Sequence, residues 1–108
     1  MSWWIRLEDE EGKAGEVDRF FEGGTYAFQG TTETELNVTY NYGSKFKFKN
    51  LTGQSGEETI ELLTEAVEKL GTERSTNYWD DDPGNVGTAC ALLLKWAKQF
   101  PKMKWSVS

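Results

Sequence analysis

Near Leu51 the hydrophobic period of this chain changes from two residues to about 3.6, which predicts strands before that point and helices after it. The clearest alternation runs from Thr32 to Tyr42. Thr34, Leu36, Val38, Tyr40 and Tyr42 fall on one side, and Glu33, Glu35, Asn37, Thr39 and Asn41 on the other. Lys45 to Lys49 repeats the pattern with Phe46 and Phe48 between lysines; Gly43-Ser44 supplies a turn, so the two segments are expected to pair. Trp3, Ile5 and Leu7 against Trp4 and Arg6 predict a first strand over residues 2 to 8. Glu16 to Glu22 is expected to return as its hairpin partner, and Thr25 to Phe28 to add a short strand after Gly23-Gly24.

Beyond Leu51, Ile60, Leu63, Val67 and Leu70 form a helical stripe widened by Leu62 and Ala66. Ser55 and Glu58 have the spacing of a capping box and Gly71 supplies a stop, which bounds this helix at residues 56 to 70. A second helix, from 83 to 99, starts at Pro83 behind Asp80-Asp81-Asp82, carries Ala89, Leu92, Leu93, Trp96, Ala97 and Phe100 as its apolar stripe, and ends at Pro101. Trp105 and Val107 suggest a closing strand. The expected fold is a single α+β domain over residues 1 to 108: a mostly antiparallel sheet of about five to six strands with both helices on one face.

Composition removes much chemistry. The chain has no histidine and one cysteine, Cys90, which excludes Ser-His-Asp and Cys-His nucleophile pairs, zinc sites of the usual kind and an internal disulfide. Eighteen acidic against twelve basic residues give a net charge of -6, the wrong sign for binding a phosphate backbone, so no nucleic-acid partner is expected. No basic leader and no apolar run of spanning length are visible, which sets the expectation of a cytoplasmic protein without membrane contact. The charge is banded: net -6 over residues 1 to 35, +3 over 36 to 56, -7 over 57 to 82 and +4 over 83 to 108. Such bands can pair within the fold or attract a basic partner.

Three constellations carry candidate chemistry. Asp80, Asp81 and Asp82 could draw a cation, but they lack the spacing of a calcium loop, and acids before a helix are explained by capping; no metal and no cofactor is expected. Gly84, Asn85 and Gly87 at the same helix start offer backbone N–H groups to an anion, although the neighbouring carboxylates oppose one. The polar strand face sets Glu33 and Glu35 beside Asn37, Thr39 and Asn41, a row suited to cross-strand pairing with Lys45, Lys47 and Lys49, to hydrogen-bonding a small ligand, or to carboxylate catalysis. Fifteen aromatic rings exceed what one small core needs; Trp4, Tyr42, Tyr78 and Trp79 are the expected surface members, because each lies beside the polar face or in a loop.

The motifs Glu22-Gly23-Gly24-Thr25-Tyr26, Glu35 to Tyr42, Tyr78-Trp79, Gly84-Asn85-Val86-Gly87 and Leu92 to Ala97 resemble small proteins encoded by bacteriophages and prophages, a family with no established activity. The resemblance spans nearly the whole chain and implies an accessory role in a bacterial host cell. By analogy with anti-CRISPR and other anti-defence inhibitors, acidic bands would imitate a nucleic-acid backbone.

The leading expectation is a non-enzymatic protein that binds and modulates a basic host protein through Trp4, Tyr42, Tyr78, Trp79, Asp80, Asp81 and Asp82. The alternative is a small-molecule or nucleotide-sequestering module using Asn37, Asn41, Tyr42, Gly84, Asn85 and Gly87. A carboxylate enzyme built on Glu33 and Glu35 is a third reading. Short end strands and surplus aromatics also suit a homodimer.

Overall fold

The computed structural model describes residues 2–18, 32–77 and 79–108. Its elements are β1 (Ser2–Glu8), β2 (Glu35–Thr39), α1 (Gly56–Leu70), α2 (Pro83–Gln99) and β3 (Lys104–Val107), with 3-10 helices over Tyr40–Ser44 and Phe48–Leu51. The sheet is antiparallel in the order β2-β1-β3. Its register sets Ile5 opposite Leu36 and Val107, Leu7 opposite Trp105, and Trp3 opposite Val38. Ile5, Leu7, Leu36, Val38 and Trp105 therefore share the face that meets Leu63 of α1 and Val86, Ala89, Cys90, Leu93, Trp96 and Ala97 of α2 in one core. The opposite face carries Trp4, Arg6 and Asn37, with Arg6 bridging Glu8 (Nε to Oε2, 3.1 Å) and Glu35 (Nη1 to Oε1, 3.6 Å).

Both helices have the expected bounds because their ends are written locally. Ser55 Oγ accepts from Glu58 N at 3.3 Å and Glu58 Oε1 accepts from Ser55 N at 2.9 Å, a complete capping box. Gly71, at φ 75°, ends α1 in a conformation that side chains resist, and its N–H donates to Val67 O at 2.8 Å. Asp82 accepts from Gly84 N at 3.0 Å and caps α2 ahead of Pro83.

The helices lie antiparallel, joined closely at both ends. A Cβ on Gly56 would stand 2.7 Å from Phe100 O and 2.8 Å from Ala97 O, while one on Gly84 would run into the Glu73 carbonyl and one on Gly87 into that of Gly71. The start of α1 thus abuts the end of α2, and the start of α2 abuts the chain leaving α1. Trp105, buried on β3, ties the sheet to this pair: its Nε1 donates to Thr59 Oγ1 at 2.8 Å, and that hydroxyl donates to Gly56 O at 2.8 Å.

The strand half departs from the expected sheet. Among the described residues three strands form, fewer than the five or six expected, although the α+β class and the antiparallel sense hold. The long alternating segment stops at Thr39, whose Oγ1 accepts from Asn41 N at 3.3 Å and turns the chain into the first 3-10 helix. Lys45–Lys49 forms no strand and no hairpin with β2. Lys45 N and Phe46 N both return to Tyr42 O, at 3.0 and 3.1 Å, and Asn50 N returns to Lys47 O at 3.0 Å, so these groups are spent on local turns. The alternation itself is real as burial: Phe46 and Phe48 are inside, 4.9 Å apart edge-on, between exposed lysines. β2 pairs with β1 instead. Glu16 makes a single bridge to Glu33 rather than a hairpin strand with β1, and Arg19 to Glu22 and Thr25 to Phe28 lie outside the described residues.

Two consequences can be measured. Gly87→Ala forces a methyl group against backbone and is expected to cost about 1–3 kcal/mol, lowering Tm by about 4–8 °C per kcal/mol; Gly43→Ala, whose nearest new neighbour is 3.7 Å away, should change far less. Equal thermal shifts by circular dichroism would refute the close-contact account. The capping hydrogen bonds from Ser55 hold the Glu58 carboxyl below its ordinary value of 4.5. A lowered carboxyl pKa stabilises the fold above that value and loses its contribution as pH falls through the folded-state pKa. Glu58→Gln should therefore lower the urea midpoint at pH 7 and converge on the parent at the acid end, whereas a pH-independent difference would rule the ionised cap out.

Candidate functional site

The 3-10 helix after β2 and the loop before α2 meet at one corner, where Tyr40, Asn41, Ser44, Trp79, Asp80 and Asp81 line an open pocket of about 430 Å³. Two side-chain ties join its walls. Asn41 Nδ2 donates to Trp79 O at 2.9 Å, and Ser44 Oγ donates to Asp81 Oδ2 at 2.7 Å. Asn77 Nδ2 reaches Asp80 Oδ1 at 3.3 Å. Trp79 and Tyr40 are 45% and 42% exposed, a large apolar area left in water at the pocket. No described lysine or arginine forms an ion pair with Asp80 or Asp81. Tyr40 is supported from behind by Trp3, whose ring lies 4.4 Å away edge-on, and Lys49 stands 5.3 Å over the Trp3 ring.

The loop that presents Trp79 is held from beneath by Asn85. This side chain, fully buried in the first turn of α2, accepts from Ser75 N at 3.0 Å. Its Nδ2 faces Ser75 Oγ, Asn77 O and Asp80 O at 3.0, 3.1 and 3.1 Å. A buried amide satisfied in this way ties down the backbone at Ser75, Asn77 and Asp80, because the amide cannot turn to water if the loop leaves it.

These contacts sort the residues singled out in the sequence. Trp79, Asp80 and Asp81 line the pocket together, and Asn41, named above in the small-ligand set, joins them. Trp4 is exposed, but on the sheet face opposite the core and not in the pocket lining. Tyr42 is corrected: it is wholly buried, since the 3-10 helix rotates it inward and Tyr40 outward. Asp82 is a cap. Gly84, Asn85 and Gly87 are buried as well, the glycines against the Glu73 and Gly71 carbonyls and Asn85 in its own network, so this helix start offers no open anion cradle. Asn37 Nδ2 donates to Ser2 Oγ at 2.7 Å and so braces β1 against β2. Tyr78 lies outside the described residues. Tyr40 was missed; Thr39 beside Asn41, a pair that favours a turn, was the available signal.

The remaining chemistry is sparse. Glu35 pairs with Arg6 rather than with the lysines of 45 to 49. Burial pushes the Cys90 thiol up to about 12, which leaves it an inert packing group at neutral pH. Among the described residues no cluster of three metal-ligating side chains occurs, and no helix is long and apolar enough to cross a membrane. The described residues thus form an α+β fold of three strands and two helices with an acidic, aromatic corner. No protein-family model, no curated protein and no solved structure matches the chain.

Asn85→Ala is expected to cost about 1–3 kcal/mol, because several part-buried hydrogen bonds are lost at once. Hydrogen exchange should accelerate at Asn77 through Asp81 before it does in β1. Unchanged protection in that loop would show that Asn85 does not hold it.

Proposed function

We propose that the chain is a non-enzymatic accessory protein of phage type that binds a basic surface of a bacterial host protein through the corner of Tyr40, Trp79, Asp80 and Asp81. The observation that carries this reading is the coincidence of two exposed large rings with two carboxylates that have no cationic partner in the described fold. Aromatic side chains concentrate in binding hot spots, and uncompensated charge beside them selects the sign of the partner. The absence of histidine and the buried state of Cys90 favour binding over catalysis. The small-ligand alternative keeps only Asn41 at the pocket, since Tyr42, Gly84, Asn85 and Gly87 are consumed by packing. The same reading places the protein in the cytoplasm of the host, with inhibition of a host system as its effect.

Capture from bacterial lysate on the tagged protein, read by native mass spectrometry, tests it. The expected result is a stoichiometric protein that is lost when Asp80→Lys and Asp81→Lys are combined and that weakens as salt rises. A partner retained equally by the double variant, or a retained small molecule with no protein, would overturn it.

A further inference from the structure

We infer that the corner pocket receives the side chain of an arginine from its partner; this rests on the protein-binding reading above and assigns the group that enters. A cationic group fits because both acidic side chains keep an oxygen without a described partner: Ser44 engages only Oδ2 of Asp81, and Asn77 only Oδ1 of Asp80. The choice between arginine and lysine follows from the walls. Trp79 and Tyr40 present exposed rings, and a guanidinium is flat, weakly hydrated and able to lie on such rings while its fork reaches carboxylates. An ammonium is compact and strongly hydrated, and in a pocket this open it keeps its water. At about 430 Å³ the pocket has room for a guanidinium together with its aliphatic stem. The stem would cover the ring area that Trp79 now leaves in water. The walls are already joined through Asn41 and Ser44, and the loop is fixed by Asn85, so little ordering is required when the cation enters.

The test uses Nα-acetyl-arginine methylamide and Nα-acetyl-lysine methylamide as probes, titrated at low salt against the ¹⁵N-labelled protein. The arginine probe is expected to shift the Trp79 indole N–H and the Asn41 side-chain amide saturably, and the lysine probe to bind more weakly. Asp80→Asn combined with Asp81→Asn should weaken the arginine titration about tenfold, as loss of a charge-assisted contact does, and Trp79→Ala about two- to fivefold. All three substituted side chains are exposed, and retained spectral dispersion verifies the fold of each variant. Absence of a saturable shift at Trp79, or equal binding of the two probes, would overturn the arginine assignment. If capture of a protein in lysate still depends on Asp80 and Asp81 in that event, the assignment falls and the protein-binding reading stands.

Discussion

The close approach of α1 and α2 is the constraint on which the rest of the molecule depends. Three glycines place backbone against backbone at the two ends of the pair, where any side chain would collide with a carbonyl. Distance between the helices is thereby fixed, and with it the positions of everything attached to their ends. At one end, Gly56 N and Glu57 N, two donors that α1 cannot satisfy itself, are taken by Met103 O and Pro101 O at 2.8 and 3.0 Å. The chain leaving α2 is thus held against the start of α1, and from there β3 enters the sheet beside β1. At the other end, Gly84 and Gly87 press on the backbone of Glu73 and Gly71 in the segment that leads to the Trp79 loop.

That loop reaches the first 3-10 helix through exposed contacts, which in water contribute little each. The Asn41 and Ser44 bonds would not by themselves hold Trp79 and Asp81 in register. Asn85 would, because its own amide is fully buried, where an unmade hydrogen bond is costly. The corner is therefore assembled from the inside: the glycine contacts set the height of the helix, Asn85 draws the loop onto it, and the exposed bonds select the final orientation of the walls. A site built this way places aromatic area in solvent without leaving the rings on a loose loop.

What the sequence disclosed follows the range of the forces concerned. Helix ends are decided within four or five residues by Ser55, Glu58, Gly71, Asp82 and Pro83, so both helices were legible to the residue. β1 and β3 were legible as strands because alternation is also local. Strand partners are not, since pairing couples residues more than thirty positions apart, as Asn37 and Ser2 are. Lys45–Lys49 shows the limit most clearly. Its alternation reports which side chains are buried, and burial every second residue is compatible with turns as well as with a ladder. The same ambiguity attached to Gly84, Asn85 and Gly87. Glycine and asparagine at a helix start suit an anion cradle or a tight contact, and only the position of the Glu73 and Gly71 carbonyls decides between them. Trp79, Asp80 and Asp81 could be grouped from the sequence because they are adjacent in the chain; Tyr40, which joins them at the pocket from across the fold, could not.

The division of charge bears on how the corner would work. The most acidic band, residues 57 to 82, is continuous in sequence and divided in space: Glu57 and Glu58 stand at the start of α1, and Asp80 and Asp81 beyond its other end. At 1.5 Å per residue the length of α1 separates these groups by about 22 Å, roughly two to three Debye lengths at physiological salt. Glu57 is also engaged by Lys102 at 2.9 Å. On the proposed reading Glu57 and Glu58 would consequently add little to the affinity of a cation seated at the corner, and would act on the diffusional approach of a basic partner, an effect that falls with salt. On that reading local recognition would fall to Asp80 and Asp81 with Tyr40 and Trp79. Two carboxylates beside two rings make a point of contact for one side chain rather than an extended row of charge, so the geometry favours a single anchoring residue on the partner over imitation of a nucleic-acid backbone.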